Sequence, residues 1–353
     1  MPLILTGRIA GMKIRENALI SQLTTMRLGA AAHYLIEIEE EADLEPAYAF
    51  AREKGLPTYI LGDGSNVIGR DEGFAGVVML NRLKGFEVLS ENSDELIVRA
   101  ASGEELDDFV SYSVADDWYG AEALAAIPGT IGGAVMQNAG AYGQEMAQIL
   151  AGVDVFCIRT GESSYIPVEN LDLCYRQSIF NSKGSNSAKG RYFIVAAHLR
   201  LHKNEIQGDL YGSLQAYLTK HELSDRRAKT IRDAVSTIRG EKLPDSALTA
   251  SSGSFFKNIT IDEVDIEPLR ERYPGIPIFM IGNCWEVASG WLIEQAGLKG
   301  KLLHGMRVSD KAALILINES AGGYGDLCQA RDEIRSAVKE KFGFDLEQEP
   351  EEI

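Results

Sequence analysis

Three clusters of side chains in this sequence are equipped for reaction chemistry. The first is Cys174-Tyr175-Arg176-Gln177-Ser178-Ile179-Phe180, where one arginine stands among aromatic and apolar neighbours. A guanidinium so placed can clamp a carboxylate or stabilise an enolate; the other reading is a structural salt bridge. The second, Ser251-Ser252-Gly253-Ser254-Phe255-Phe256-Lys257-Asn258, gathers hydroxyls, an ammonium and an amide around one glycine. Ser254 can deliver a proton if its neighbours lower the cost of the alkoxide; the other reading is a plain turn with Phe255 and Phe256 in the core. The third is the acidic end, residues 346–353, a composition that ordinarily makes a solvated tail.

Two glycine-rich segments supply a place for a ligand. Leu61-Gly62-Asp63-Gly64-Ser65-Asn66-Val67 follows a predicted strand. Its glycines let the backbone turn tightly and leave N–H groups to meet phosphate oxygens, with Ser65 and Asn66 as further donors. The same run also reads as a bare strand-to-turn loop. The second segment, 127–143, holds five glycines in the sixteen residues 128–143, against about one at average usage. It carries almost no charge, and Pro128, Ile131 and Val135 anchor it. Such a backbone packs against something flat or anionic, a mobile Gly/Ala loop being the alternative. Val67 stands where the third glycine of a dinucleotide fingerprint belongs, and neither a P-loop nor a nucleophile elbow is present. Together the loops predict a pyrophosphate-bearing cofactor, with a flavin as the best candidate.

The elements that position these groups follow from periodicity. Residues 41–53 read as a helix with Leu44, Ala47, Tyr48 and Ala51 inward, closed by Gly55 and Pro57. Residues 58–61, 77–80, 86–89 and 96–100 read as strands. Ser102-Gly103-Glu104-Glu105 resembles a capping box opening a helix with Leu106, Phe109, Val110 and Val114 inward. Residues 180–191 form a loop, 192–200 a strand and 221–239 a helix, with a boundary at 242–245. Residues 312–317 read as a strand, and 325–341 as a helix closed by Gly343.

Composition narrows the classes. The 353 residues imply two or three domains, and 45% hydrophobic with 25% charged residues is globular. No apolar run reaches the ~18 residues of a membrane span. The patch Leu3 to Leu5 carries no export signal, and four cysteines without a Cys-x-x-Cys pair suit a reducing cytoplasm. A net charge of −17 argues against a nucleic-acid surface. The five histidines lack ligand spacing, so no metal is expected.

In their order along the chain, these motifs resemble the UDP-N-acetylenolpyruvoylglucosamine reductase family, type I, flavoproteins of bacterial peptidoglycan synthesis. The resemblance runs from Thr25-Met26-Arg27-Leu28-Gly29 to the end. It is strongest at Gly62-Asp63-Gly64-Ser65-Asn66, 127–143, Tyr175-Arg176-Gln177-Ser178-Ile179-Phe180, Gly253-Ser254-Phe255-Phe256-Lys257-Asn258 and Gly290-Trp291-Leu292-Ile293-Glu294. It implies an α+β fold. A two-part FAD-binding domain of the vanillyl-alcohol-oxidase (PCMH) type would span 1–85 and 86–241. A separate α+β substrate-binding domain, 242–353, would carry a catalytic tail.

The resemblance implies FAD held by Gly62, Gly64, Ser65, Asn66, Gly129, Ile131, Gly132, Gly133, Asn138, Gly140, Gly143 and Arg239. It implies NADPH as reductant and a UDP-sugar enolpyruvyl ether, UDP-N-acetylglucosamine enolpyruvate, as the substrate reduced to UDP-N-acetylmuramate. A cytoplasmic monomer serving cell wall biogenesis, cell shape and cell division is the expected setting. Ser254 is implied as proton donor, with Arg176 and Glu349 polarising the enolate and carboxylate, and Tyr211, Lys242 and Asn258 contacting substrate. The substrate's diphosphate would account for Lys242 and Lys257, unless Lys257 faces solvent. Three departures stand out: Gln177 where the family often has Asp, Ala312 in place of a polar contact, and Pro350 after Glu349 where members continue into another strand. Counting without a gap from Gly343 selects Glu349; matching Glu349-Pro350-Glu351 to the family's end selects Glu351. Other readings are a different FAD oxidoreductase of this fold acting on a small alcohol or sugar, and a nucleotide-sugar binder without catalysis.

Overall fold

The computed structural model describes residues 6–9, 11–205, 208, 210–281 and 284–353; the apolar patch at 3–5 lies outside the described residues. The chain divides into two compact units. The first takes Met1–Asn17, His33–Asp63 and Ala75–Glu241, and the second Ala18–Ala32, Gly64–Phe74 and Lys242–Ile353.

Two five-stranded sheets build the first unit. One runs in the order Thr6–Ile9, Met12–Leu19, Ala31–Ile38, Phe74–Asn81, Thr58–Leu61. The last two strands are parallel and are joined through residues 62–73, while helix Leu44–Glu53 links strand Ala31–Ile38 to strand Thr58–Leu61. That helix buries Leu44, Ala47, Tyr48 and Ala51 in one cluster with Ile36, Ile38, Val77 and Met79, the face its periodicity predicts. Gly55 follows at φ +63, a conformation that stops a helix at no steric cost. The other sheet is antiparallel, in the order Ser163–Pro167, Leu150–Cys157, Tyr192–His202, Glu95–Ala101, Phe86–Glu91. It shares a core with helices Leu106–Ala115, Ile131–Met136, Gly212–Lys220 and Ala228–Lys242.

Two expectations are corrected here, and one helix is added. Ser102 does not cap the helix that follows: its hydroxyl is buried and accepts from Asn81 Nδ2 at 2.7 Å, and Glu105 holds the N-cap position without a side-chain bond. The helix expected at 221–239 begins at Ala228, because the Asp225 carboxylate accepts from the Arg227 N–H at 2.8 Å and the Thr230 hydroxyl at 3.2 Å. The helix Gly212–Lys220 precedes it unannounced.

The second unit has a sheet in the order Ser251–Ser254, Ile315–Asn318, Met306–Val308, Leu302–Leu303, and a three-stranded sheet, Ile259–Ile261, Cys284–Val287, Ile278–Ile281. The strand read at 312–317 starts only at Ile315, since Ile315 N–H turns back to the Ala312 carbonyl at 3.0 Å. Helix Tyr324–Phe342 buries Leu327, Ala330, Ile334 and Val338 beside Phe255 and Phe256, and Gly343 closes it at φ +81. The acidic end is not a solvated tail. Glu351–Glu352 form a strand that pairs in parallel with Val67–Ile68.

Candidate active site

The two glycine-rich segments meet within the first unit. A Cβ on Gly62 would lie 2.5 Å from the Thr130 hydroxyl oxygen, so the second segment's approach itself demands glycine there. Thr130 is buried, and its hydroxyl accepts from the Gly133 N–H at 3.4 Å to cap helix Ile131–Met136. Ile131 N–H donates to the Glu104 carbonyl at 2.8 Å and Gly132 N–H to the Ser102 carbonyl at 2.8 Å. Amides 131–133 are thus engaged inside the chain. The segment offers a ligand a surface free of side chains instead: the Cβ position of Gly133 has only the Thr130 hydroxyl near it, at 3.6 Å.

Arg176 stands in a tight turn. Cys174 and Gln177 exchange N–H···O bonds of 3.1 and 3.0 Å, and Arg176 takes φ +53, a conformation costly for a long side chain. Neighbouring amides hold it there. Asn138 Nδ2 donates to the Cys174 carbonyl and to Glu145 Oε2, both at 3.1 Å, while its Oδ1 accepts from the Ala147 N–H at 2.9 Å. Asn181 Nδ2 donates to the Arg176 carbonyl at 3.1 Å, and Ser178 Oγ to the Met136 carbonyl at 2.6 Å. Asn138, expected among the cofactor contacts, is 1% exposed, and its amide links the second glycine segment to the arginine turn.

A second guanidinium shares this neighbourhood. Arg176 Nη2 donates to the Gly140 carbonyl at 3.2 Å, and Arg239 Nε to the Ala126 carbonyl at 3.2 Å. Burial pushes the Arg239 pKa below its ordinary value; Tyr142 and Asp107 oppose the shift, and the positive charge of Arg176 adds to it. Two mutually repelling guanidinium groups in a chain of net charge −17 form a local field that an anion would relieve. Tyr211 stands edge-on to Tyr142 with ring centres 6.0 Å apart, and a Cβ on Gly143 would lie 3.5 Å from its ring. The first unit therefore gathers Arg176, Arg239, Gly140, Gly143 and Tyr211 around Tyr142.

In the second unit, Gly64 takes φ +64, and a Cβ there would lie 2.0 Å from the Leu23 carbonyl oxygen. Asn66 Nδ2 is buried with no partner among the described residues, and a buried amide donor of this kind calls for an acceptor. In the first unit, the open surface at Gly133 and the two neighbouring guanidinium groups fit a pyrophosphate-bearing group. Gly64→Ala is expected to cost at least about 1 kcal/mol, since alanine tolerates neither this φ nor the contact. A lowered unfolding midpoint and a lower flavin absorbance per protein check it.

Ser254 ends its strand just after Gly253, which turns at φ +72. Phe255 and Phe256 are 0% and 1% exposed, so the core reading of that segment also holds. The returning end of the chain runs alongside. Glu349 N–H donates to the Phe255 carbonyl at 2.9 Å, Phe256 bridges Gln348, and Lys257 N–H donates to the Glu347 carbonyl at 2.9 Å. Glu349 thus lies opposite Phe255, the residue after Ser254, whereas Glu351 is opposite Val67. Lys257 Nζ sits 2.8 Å from Glu347. Asn258 Nδ2 donates to the buried Glu286 at 3.1 Å and its Oδ1 accepts from the Ser289 N–H at 3.3 Å. Lys242 is the exposed last residue of its helix. Among the described residues no His, Cys, Asp and Glu cluster could hold a metal, and no helix is long and apolar enough to cross a membrane.

Sequence reasoning missed Thr130, Ser178 and Asn181, which shape the site through backbone contacts that leave no spacing signal. Two family descriptions match the chain: "FAD binding domain" over residues 32–163, and "UDP-N-acetylenolpyruvoylglucosamine reductase, C-terminal domain" over residues 244–353. The UDP-N-acetylenolpyruvoylglucosamine reductase of Pasteurella multocida (strain Pm70) is 37% identical over 92% of this chain and 93% of its own. That of Psychrobacter sp. (strain PRwf-1) is 34% identical over 92% of this chain and 87% of its own. The crystal structure of the reductase from Thermus caldophilus superposes with a TM-score of 0.64 at 24% identity, covering 97% of this chain and 99% of that one, a likeness of fold.

Proposed function

This chain belongs to the UDP-N-acetylenolpyruvoylglucosamine reductase family, and from that premise we propose how its residues divide the work of the reaction. It is a flavin-dependent oxidoreductase, with a flavin-binding domain of the vanillyl-alcohol-oxidase type and a separate α+β domain. Its reaction reduces UDP-N-acetylglucosamine enolpyruvate to UDP-N-acetylmuramate, a step of peptidoglycan precursor synthesis. The chemistry that bound FAD supplies is hydride transfer, with NADPH as the source.

The chain's own residues handle charge and proton. Hydride addition to the terminal carbon of the enol ether drives negative charge toward the substrate carboxylate. Arg176 balances that charge, its guanidinium fixed by the turn that Asn138 and Asn181 hold. Ser254 gives a proton to the neighbouring carbon, and Glu349 polarises the substrate as the proton moves. Gly62, Gly133, Asn66 and Arg239 hold FAD, the glycines by admitting it close to the backbone and the side chains by donating to its phosphates. Tyr211, Lys242 and Asn258 contact the UDP-sugar. The protein works as a cytoplasmic monomer, and through its product serves cell shape and division. The observation that supports the reading is the 2.9 Å bond from the Glu349 N–H to the carbonyl of Phe255, the residue that follows Ser254.

Purified protein is expected to be yellow and to bleach anaerobically on addition of NADPH, with colour returning when the enolpyruvyl substrate is added. A colourless protein that takes up no added FAD would remove the flavin reading. Colour that returns with oxygen and a simple alcohol substrate, but not with the enolpyruvyl ether, would remove the substrate.

A further inference from the structure

The end of the chain is tied down more heavily than a two-residue strand requires. Besides the pairing of Glu351 and Glu352 with Val67 and Ile68, Ile353 N–H donates to the Ile68 carbonyl at 2.9 Å, and Arg70 N–H to the Ile353 carbonyl at 2.8 Å. Glu352 then collects a second set of partners. One carboxylate oxygen accepts from Arg70 Nε at 3.1 Å and Nη2 at 2.5 Å. The other accepts from Arg331 Nη1 and Gln348 Nε2, each at 3.2 Å. Tyr324 adds its hydroxyl. The side chains of Glu352 and Arg331 are only 19% and 15% exposed, so solvent screens their contact less than an ordinary surface pair, while Arg70 is half exposed. Burial works to raise the Glu352 pKa, but hydrogen bonds from Arg70, Tyr324 and Gln348 and the charge of Arg70 outweigh it and hold the carboxyl below its ordinary range.

These same groups reach the backbone on either side of Glu349. Gln348 Oε1 accepts from Arg331 Nη1 at 3.1 Å, and its Nε2 donates to the Pro350 carbonyl at 2.8 Å. Glu351 N–H donates to the Asn66 carbonyl at 3.0 Å. Arg335 Nε holds the Leu346 carbonyl at 3.0 Å. Asp71, next to Arg70, accepts from the N–H groups of Tyr324 and Gly325 at 2.7 and 3.0 Å and so fixes the start of helix Tyr324–Phe342. Glu352 therefore joins three pieces of the second unit: the segment after Asn66, the helix, and the strand that follows Glu349. Two residues of strand pairing are marginal by themselves.

We infer that Glu352 is a positioning residue whose carboxylate, held by Arg70, Arg331, Gln348 and Tyr324, fixes the backbone that carries Glu349. This rests on the role proposed for Glu349. Removing the charge leaves the pairing intact but loosens the backbone at Pro350 that Gln348 holds, and a misplacement of about 1 Å at a reacting group can slow a reaction by up to about a hundredfold.

Glu352→Gln keeps the volume and removes the charge. The variant is expected to be a folded yellow protein with NADPH bleaching and KM for the enolpyruvyl substrate within about threefold of wild type, and kcat lower by about tenfold or more. The unfolding midpoint gives a readout independent of turnover. The groups facing Glu352 are Arg70 from the paired segment, Gln348 from the residues before its strand, and Tyr324, Arg331 and Arg335 from the helix, with Cys328, Asp332 and Glu347 acting on those helix residues. With its folded pKa depressed, Glu352 contributes stability above its unfolded pKa and loses it as pH falls through the folded value. The gap in midpoint between wild type and variant is therefore expected to be full at neutral pH and to close below about pH 4. Should Glu352→Gln not accumulate folded, Arg70→Gln removes the bidentate donor and is read by the same measurements. Glu349→Gln runs in parallel. If it turns over substrate as wild type does, the role of Glu349 falls and this inference with it. If Glu349→Gln is slow while Glu352→Gln or Arg70→Gln keeps wild-type kcat, this inference alone falls. An equal loss in NADPH bleaching and in substrate turnover also overturns it, because it marks general destabilisation.

Discussion

Ser254→Ala is expected to bleach with NADPH at the wild-type rate, yet to turn over the enolpyruvyl substrate about a hundredfold to ten-thousandfold more slowly, the usual worth of a positioned acid. The two half-reactions separate because only the second needs a proton at carbon. The fold should survive. Ser254 is half-buried at the end of its strand, and the apolar core of that segment belongs to Phe255 and Phe256. Losing one hydroxyl there should cost about 1 kcal/mol or less. Rapid mixing under nitrogen, first with NADPH and then with substrate, reads each step from the flavin colour. An equal slowing of both would take the proton-donor role from Ser254 and return the segment to a purely structural turn.

What the sequence made legible was mostly local. The strand at 58–61 and the helix closed by Gly343 depend on neighbours within a few residues, and both stand where periodicity places them. The capping box at Ser102 failed because a residue distant in sequence, Asn81, claims its hydroxyl. The glycines tell the same story. Their density flagged both segments, but Gly62 is required by Thr130 and Gly64 by Leu23, contacts that no spacing announces. The inclusion of Ala18–Ala32 and Gly64–Phe74 in the second unit is likewise a long-range result, visible in the bond from the Ser251 N–H to the Thr25 carbonyl at 3.0 Å. The acidic end shows how composition misleads. Its glutamates suggested solvent, while Arg70 and Arg331, far off in sequence, turn Glu352 into an anchor.

Arg176→Asn separates a chemical role from a structural one at the other charged centre. Arginine at φ +53 is strained, and asparagine is among the few residues that tolerate that region. The substitution also removes the positive charge that burdens the half-buried Arg239. On both counts the folded protein should be as stable as wild type or more so, with flavin content and NADPH bleaching retained. Turnover of the enolpyruvyl substrate is expected to fall about a hundredfold to a thousandfold, as when one donor to a developing anion is lost. Arg176→Lys should recover little of this, because an ammonium cannot offer two parallel donors to a carboxylate. An unfolding curve and a single-turnover trace on each variant decide the matter. A turn that grows more stable while the reaction fails means that the strain is retained for the guanidinium. Full turnover by Arg176→Asn would mean that the turn, rather than the charge, is what the site needs.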